Sequence, residues 1–280
     1  MQDRKPLKSR LAIFAMLVIS FSASAQWNVP DIQEPSEPAA IQKALTGGVP
    51  GGRWKEGLLF EGIEPQPWLK SAANWFPNTE EVQPNEMRIH FMGTAPMIRP
   101  GQMNTSIFVM LGNGDNFAFD IGEGSVANYV ASGIALNEIK KVFITHLHVD
   151  HFGALPYVWM FGAWAGGWHE RLRVWGPSGA SDEYGLDTMI EGMKMMTGWH
   201  RDAFDVFPIG KGWDIESNQF DFKDNGGLIY DENGVKIIHW ERSHAKDGAS
   251  AYRLDWNGMC FVWTGDGRPS ELDEKYAKGC

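Results

Sequence analysis

An apolar run leads directly into a group of metal-ligand side chains near the middle of the chain. Residues 142–144 (Val-Phe-Ile) are typical of a strand that is covered on both faces. Residues 145–151 follow and read Thr-His-Leu-His-Val-Asp-His. Three imidazoles and a carboxylate in such a short segment are good ligands for a borderline cation such as zinc. The segment therefore predicts a metal site at the end of a buried strand.

The spacing of these side chains indicates how they divide between metal ions. Where a chain leaves a strand still extended, side chains two residues apart point the same way, so His146 and His148 can bind one ion. A turn just afterwards would carry Asp150 and His151 toward a second position nearby. We therefore expect a centre with two metal positions.

The pattern from residue 87 onward predicts a mixed α/β fold. Strands are predicted at 88–92, 105–111, 116–120, 141–145, 172–175, 228–230, 235–240, 252–255 and 259–264. Asn-Gly pairs at 113–114, 233–234 and 257–258 favour hairpins, because these residues accept the positive φ angles of tight turns. Hairpin strands interspersed with helices indicate an α/β sandwich and not a purely parallel sheet.

Helices are predicted in three places. Residues 125–132 and 270–276 have helical patterns, and a third helix between them carries an apolar stripe on one face. The stripe consists of Leu186, Met189, Ile190, Met193 and Met196. At this spacing we expect the stripe to pack against the core.

The two cysteines, Cys260 and Cys280, are too few for a disulfide scaffold. Cys260 lies within an apolar run at 259–263, and Cys280 is the last residue of the sequence. We therefore expect Cys260 to be a small buried hydrophobic residue.

The first 85 residues differ from the rest of the chain. Residues 1–25 combine a basic start, an apolar run at 11–21 and the triplet Ala-Ser-Ala at 23–25, which predicts a cleaved signal peptide and export to the periplasm or the medium. This run is too short for a stable membrane anchor, since a bilayer span needs ~20 residues. Residues 26–85 are rich in Pro, Gly and Trp, and we interpret them as an extension that wraps a domain formed by residues 86–280.

The charge balance bears on the class of substrate. The whole sequence has 25 basic and 35 acidic residues, and removal of residues 1–25 leaves a net charge of −13. Phosphate backbones are bound by clustered Lys and Arg, and no basic patch is visible in the sequence. Nucleic acid is therefore disfavoured as a partner.

Three segments together resemble a known superfamily. His146-x-His148-x-Asp150-His151 resembles the signature of the metallo-β-lactamase superfamily. Residues 119–122 (Phe-Asp-Ile-Gly) and 263–266 (Trp-Thr-Gly-Asp) resemble the strand ends that precede and follow this signature in the family. The resemblance covers the chain from about residue 87 onward and implies the αββα sandwich of these proteins.

The resemblance implies a role for each of these residues. It assigns His146 and His148 to the first metal, Asp150 and His151 to the second, and Asp266 to both. Asp120, at the first strand end, would support the site from behind the ligands.

A third histidine should complete the first metal site in such a family member. His169, His200, His239 and His244 are the candidates, and His244 before residues 251–254 (Ala-Tyr-Arg-Leu) matches the family pattern best. His239 fits a packed core position, whereas His169 and His200 fit the surface or a pocket wall. We assign no role to His90.

The sequence departs from the family pattern after Asp266. The family supplies a further histidine to the second metal, and residues 267–280 contain none. We expect either that the sandwich is C-terminally incomplete in this sequence or that the second metal site is weakened.

The function implied by the resemblance is hydrolysis with two Zn²⁺ ions and a metal-activated hydroxide. Asp150 and Asp266 would act at the reaction centre, where Asp266 fixes the metal spacing and orients the hydroxide. A carboxylate at 266 resembles the branch that contains ribonuclease Z, cyclic-nucleotide phosphodiesterases, arylsulfatases and lactonases. The run of motifs is most similar to its ribonuclease Z and arylsulfatase-like group.

We predict a small phosphate or sulfate ester as the substrate. The alternatives are a ribonuclease Z-like phosphodiesterase, a lactonase, or a catalytically weak scaffold that binds metal and holds a partner. The aromatic stretch at 156–168 either forms the wall of a pocket for an aryl group or packs against the core.

Overall fold

Two β-sheets form the centre of the part of the chain that the computed structural model describes. The described residues are 81–99, 101–166, 170–206 and 210–280. The predicted signal peptide and nearly all of the predicted N-terminal extension lie outside these residues. Within them, no helix has the length and apolar character that a membrane crossing requires.

The first sheet has six strands, which lie side by side in the order of the chain. They are β1 (Met87–Gly93), β2 (Ser106–Leu111), β3 (Asn116–Phe119), β4 (Lys141–Phe143), β5 (Leu172–Pro177) and β6 (Ile215–Phe220). The first three pair antiparallel, and β3 to β6 pair parallel. The parallel part places the carboxyl ends of β3 and β4 at the same edge.

The second sheet is a four-stranded antiparallel meander. Its strands are β7 (Leu228–Glu232), β8 (Val235–Arg242), β9 (Ala249–Trp256) and β10 (Met259–Trp263), in the order β10-β9-β8-β7. Asn233 and Asn257 take positive φ angles of 52° and 49° in the two turns of this sheet. The predicted Asn-Gly hairpins are therefore confirmed.

Helices cover the outer faces of both sheets. They are α1 (Ser125–Ala131), α2 (Val149–Phe152), α3 (Leu155–Gly166), α4 (Leu186–Met196), α5 (Gly198–Phe204) and α6 (Glu271–Tyr276), with 3₁₀ turns at Leu136–Glu138 and Asp182–Tyr184. Helices α1, α3 and α4 pack on the first sheet. Helix α6 lies behind the second sheet, where Tyr276 stacks on Trp240.

Alternation along the strands divides the core into two layers. On β2, Ile107 and Val109 face the second sheet and belong to the layer between the sheets. Phe108 faces the opposite way and belongs to the layer between the first sheet and the helices. This is the period-two pattern of a strand buried on both faces. The fold is the αββα sandwich of the metallo-β-lactamase proteins.

Two sequence expectations are corrected by the fold. Cys260 is not a lone buried hydrophobic residue, because it forms a disulfide with Cys280. Strand β10 is the edge of its sheet, and the returning C-terminal segment runs beside it, which brings the two Cα atoms to 5.5 Å. In the apolar stripe of α4, Leu186, Ile190 and Met193 are buried, but Met196 at the helix end is exposed.

Candidate metal centre

The carboxyl ends of four strands supply the side chains of the predicted centre. Asp120 follows β3, His146 follows β4, His244 follows β8 and Asp266 follows β10. The two sheets are joined at this point, because the backbone N–H of Ser250 donates a hydrogen bond of 2.9 Å to the carbonyl of Thr145. Residues from distant parts of the sequence are thereby brought together.

Three imidazoles converge in what we call the three-histidine cluster, formed by His146, His148 and His244. His146 Nε2 lies 3.0 Å from His148 Nδ1, and His244 Nε2 lies 3.1 Å from the same His148 atom. Their ligand nitrogens all lie within 4.8 Å of one another. Side chains two residues apart after β4 thus face one point, as predicted, and β8 brings the third.

A second group, the His-Asp cluster, consists of His146, His151 and Asp266. Its ligand atoms also lie within 4.8 Å of one another. Helix α2 begins directly after His148 and turns His151 into this position. Asp150 belongs to neither cluster, although its Oδ2 lies 3.5 Å from His151 Nε2. His151 Nε2 is buried, has no hydrogen-bond partner among the described residues and lies 3.7 Å from Asp266 Oδ1.

Asp120 is a buried anchor behind the ligands. Its carboxylate accepts hydrogen bonds from the Thr145 backbone N–H at 2.8 Å and from the Trp263 indole at 2.8 Å. Its Oδ2 also lies 2.8 Å from His151 Nδ1. When the Nδ1–H of His151 donates to this carboxylate, the lone pair of Nε2 is left facing the cluster. Asp120 thus lies directly behind His151, and its supporting role stays a prediction.

Close packing around the clusters requires glycine at two positions. A Cβ on Gly265 would lie 2.7 Å from the Cβ of Thr145, and Gly265 has a positive φ of 55°. A Cβ on Gly122 would lie 2.1 Å from the carbonyl oxygen of Asp150. The Asp-x-Gly and Gly-Asp motifs therefore reflect close approach of the backbones that carry the site.

Two histidines of the three-histidine cluster have lowered pKa values. Burial, reinforced by the nearby positive charge of His151, lowers the pKa of His146 to about 3. Burial also lowers the pKa of His244, against the opposing effect of Asp266. Both rings are therefore neutral at pH 7, which is the form that binds a metal ion.

His151 responds in the opposite direction. Burial lowers its pKa, but the charge and hydrogen bond of Asp120, with Asp150 and Asp266, outweigh this and raise the pKa overall. The acidic groups around His151 thus favour a positive charge at this point. A bound cation would supply such a charge.

These donors fit a divalent metal ion. Imidazole nitrogens from three directions, a buried nitrogen on His151 and adjacent carboxylates are the donor set of borderline divalent cations. The described residues could therefore hold a metal in either cluster. Which of these side chains bind a metal ion stays a prediction.

Comparison with known families identifies the family to which the chain belongs. Residues 87–262, well over half of the chain, match the family described as Anti-Pycsar protein Apyc1. The chain belongs to the Apyc1 family. The matched region contains every side chain of the three-histidine cluster, together with Asp120, Asp150 and His151, and stops just before Asp266.

Apyc1-family membership agrees with more distant similarities to ribonuclease Z proteins. The chain is 26% identical to ribonuclease Z of Picrophilus torridus over 223 residues, which covers 69% of this chain and 71% of that protein. It is 27% identical to ribonuclease Z of Halalkalibacterium halodurans over 200 residues, which covers 69% of this chain but only 54% of that protein.

Solved structures show the same fold. The short form of human tRNase Z matches with a TM-score of 0.53 and 18% identity, over 67% of this chain and 73% of that one. The metallo-β-lactamase fold protein YhfI from Bacillus subtilis matches with a TM-score of 0.51 and 12% identity, over 68% of each chain. The chain therefore has the metallo-β-lactamase fold, and its sequence is similar to those of ribonucleases Z.

A cleft of about 320 Å³ opens beside the three-histidine cluster. Leu147, Phe152 and Met189 give it apolar walls. At the cleft, the ammonium group of Lys246 lies 3.6 Å from the ring centroid of Tyr184. The site therefore combines a possible metal position with an apolar cavity and an exposed cation.

Residues 156–166 of the aromatic stretch predicted as a pocket wall or a core element lie in α3. Trp159 is completely buried in the layer between the helices and the first sheet. Tyr157 and Phe161 stack on each other with ring centroids 4.4 Å apart, and neither lines the cleft. The packing alternative is therefore confirmed for Trp159 and Phe161, whereas Tyr157 is 49% exposed and follows neither alternative.

The other histidines that the structure describes, His90, His200 and His239, lie outside both clusters. His239 is completely buried on β8 and packs on Phe220 with ring centroids 4.0 Å apart, as predicted for a core position. His200 lies on α5, and its ring is 5.3 Å from that of Phe161. His90 is on β1, and His169 lies outside the described residues.

Sequence reasoning gave no role to several residues that support the site. Trp263 was noted only as part of a motif, yet its indole binds Asp120. Arg242 is buried next to the Gly265–Gly267 turn and pairs with Asp273 of α6. These partners are far apart in the sequence, and the strand pattern of β8 gives no local signal for the pairing.

Proposed function

We propose that the chain is a zinc-dependent hydrolase of small phosphate esters. The observation that carries the proposal is the convergence of the ring nitrogens of His146, His148 and His244 beside an open cleft. Zinc is the ion that best suits a set of three imidazoles with one open position. The ribonuclease Z relatives support a phosphodiester bond as the bond that is cleaved.

Zinc, when bound, would polarise the ester and lower the pKa of a water molecule toward about 7. Asp266 can take part in both clusters, because its carboxylate oxygens lie 3.7 Å from His151 Nε2 and 3.9 Å from His244 Nε2. This geometry supports the bridging role that the family resemblance implies. Asp120 holds His151 by its Nδ1, so the Nε2 stays aimed at the reaction centre.

Two zinc ions of unequal affinity are part of this proposal. The three-histidine cluster offers three imidazoles to the first ion. The second ion would depend on His151, Asp150 and Asp266, and the sequence from 267 to 280 adds no histidine. We therefore expect the second ion to be bound more weakly than the first.

The cleft suits a small substrate with an anionic group. Its volume of about 320 Å³ is at the lower end of the range of small-molecule sites. Lys246 would attract the anion, and Tyr184 next to it offers a flat surface for a ring. Glu183 and Asp247 line the same cleft, and a long polyanion would meet their negative charge.

Cleavage of RNA is the second candidate function. The relatives named ribonuclease Z favour it, and they argue against a substrate limited to small esters. The formal net charge of −10 and the carboxylates of the cleft argue against it. A catalytically weak scaffold that binds zinc is the third candidate, since the second site has fewer ligands.

Metal analysis combined with turnover tests the proposal. We expect purified protein to contain zinc and to hydrolyse bis(p-nitrophenyl) phosphate faster than p-nitrophenyl sulfate or a short RNA. Mutation of residues that only support a metal ligand typically lowers activity by up to ~100-fold. His148→Ala removes a predicted ligand itself, so its turnover should fall by more than this. His200→Ala is the matched control, because this histidine lies outside both clusters, and its turnover should equal that of the wild type.

Each alternative has its own outcome. Preferential cleavage of RNA would favour the ribonuclease candidate, and preference for the sulfate would assign the other ester class. Tight zinc binding without turnover of any of the three would support the scaffold. Equal activity of His148→Ala and the wild type would contradict metal-dependent hydrolysis at this site.

A further inference from the structure

We propose that the ion pair between the buried Arg242 and Asp273 positions Asp266 and so sets the affinity of the metal site that contains this carboxylate. The proposal rests on the proposed function in that it requires metal binding. It does not require a particular substrate. Arg242 and Asp273 touch no ligand atom, so both are positioning residues.

Asp266 needs support because it lies in a turn and not in a strand or helix. The turn joins β10 to α6, and the Asp266 side chain is 45% exposed. One backbone hydrogen bond, from the N–H of Arg268 to the carbonyl of Ser243 at 2.9 Å, ties this turn to the end of β8. That bond fixes the turn on one side of Asp266, and the close approach of Gly265 to Thr145 fixes it on the other, so further support must act on the backbone between them.

Arg242 fills the space beneath the turn. Its side chain is only 5% exposed. A Cβ on Gly267 would lie 2.9 Å from both Nε and Nη2 of this arginine, so the guanidinium is in contact with the glycine backbone. Gly267 directly follows Asp266, and the contact therefore restricts the backbone that carries the carboxylate.

Asp273 fixes the guanidinium and the far end of the turn together. It pairs with Arg242 Nη1 through Oδ2 and accepts a hydrogen bond of 2.8 Å from the Trp240 indole. The same Oδ2 accepts the backbone N–H of Ser270 at 3.0 Å, and the Ser270 hydroxyl accepts from the Asp273 N–H. This reciprocal cap holds the start of α6 against β8.

The arrangement links the two clusters through one strand. Arg242 lies two residues before His244, so the end of β8 supplies a ligand of the three-histidine cluster and the support for Asp266. Loss of Arg242 would leave Asp273 without its cation and Gly267 without its contact. Partners behind metal ligands typically account for about 10- to 100-fold in metal affinity, and we expect an effect of this size.

Metal titration of variants tests the proposal. Co²⁺ and Zn²⁺ binding would be measured for the wild type, Arg242→Met, Arg242→Lys, Asp273→Asn and Asp266→Asn. We expect Arg242→Met and Asp273→Asn to weaken, by about 10- to 100-fold, the same binding step that Asp266→Asn weakens. Arg242→Lys keeps the charge and should recover part of the affinity.

Two comparisons separate positioning from general loss of stability. Arg253→Met is the matched control, because Arg253 donates to the carbonyls of Tyr276 and Lys278 and so holds the opposite end of α6. It should leave both binding steps unchanged. In the Asp266→Asn background, Arg242→Met should weaken metal binding no further. If Arg242 acts only through Asp266, the effects of the two substitutions are not additive.

Several outcomes would overturn this assignment. Unchanged affinity in Arg242→Met, an equal loss in Arg253→Met, or an additive loss in the double variant would each contradict positioning of Asp266. If Arg242→Met does not fold, Arg242→Lys and Asp273→Asn decide the question by the same criteria. If the wild type binds no metal, both this proposal and the proposed function are overturned. If it binds metal but turns over no substrate, only the proposed function is overturned.

Discussion

At the scale of single residues, the centre depends on side chains that lie behind the predicted metal ligands. Asp120 is the clearest case, because it receives hydrogen bonds from Thr145 and Trp263 and lies within hydrogen-bond distance of His151 Nδ1. It takes a positive φ of 59°, which is uncommon for a residue other than glycine. Such a backbone persists where several surrounding interactions hold it, and here they hold the residue that orients His151.

His239 gives a residue-scale prediction about pH. Burial lowers its pKa to about 4, and neither ring nitrogen has a hydrogen-bond partner. The unfolded chain, with an ordinary pKa near 6.5, binds a proton more readily than the folded protein between these two values. Stability contributed by the neutral ring is therefore complete above pH 6.5 and is lost as the pH falls toward 4, by an amount on the order of 3 kcal/mol.

Urea unfolding of the wild type and His239→Leu between pH 4 and pH 7 measures this effect. We expect the free energy of unfolding of the wild type to fall more steeply with decreasing pH than that of the variant. Parallel curves for the two proteins would show that His239 does not carry the dependence.

The ligands differ in how far the sequence reveals them. The positions of His146 and His148 on one side of the chain follow from their spacing after an apolar strand. His244 is 96 residues from His148 and could be selected among four candidates only through the family pattern. Arg242 and Asp273 could not be predicted at all, because a buried arginine on a strand has no local signature that names its partner.

At the scale of elements, strands and hairpins with regular alternation were predicted well, whereas strand β6 and several helices, α3 among them, were missed. Strand β6 reads Ile-Glu-Ser-Asn-Gln-Phe and lies at a sheet edge, so its polar residues hide the strand pattern. Helix α3 is apolar along most of its length, and such a helix has no amphipathic period to detect. Helix α6 has a serine cap and acidic first turn, and it was predicted within one residue.

The disulfide between β10 and the C-terminal segment gives an element-scale prediction. Cys260 and Cys280 are separated by 20 residues, and the loop that they close contains Asp266 and α6. Closing a loop of this length stabilises a folded protein by about 3 kcal/mol. We expect reduction by dithiothreitol to lower the urea midpoint of the wild type accordingly.

The double variant Cys260→Ser/Cys280→Ser is the control for this experiment. Its midpoint should match that of the reduced wild type and should not respond to dithiothreitol. Identical midpoints for oxidised and reduced wild type would contradict a stabilising role of the disulfide.

At the scale of the whole molecule, neither sheet alone contains the centre. The first sheet carries Asp120 and the residues of the signature, and the second carries His244 and the turn with Asp266. The bonds from Ser250 to Thr145 and from Trp263 to Asp120 cross between them. Contacts between the two sheets therefore hold the two sets of predicted ligands in one place.

The overall charge favours some classes of substrate over others at this centre. The protein has a formal net charge of −10, and Lys246 is the basic side chain, apart from histidines, that lines the cleft beside the three-histidine cluster. A small anion can approach one lysine, whereas a long polyanion must pass an acidic surface. This balance is the reason that we favour a small ester although the sequence relatives are ribonucleases Z.

The most direct test of zinc binding by the three-histidine cluster is anomalous X-ray scattering at the zinc edge from crystals of the zinc-loaded protein. We predict a peak between His146 Nε2, His148 Nδ1 and His244 Nε2, at about 2.0–2.1 Å from each nitrogen. An absence of density at that point, or zinc bound only elsewhere on the molecule, would contradict it.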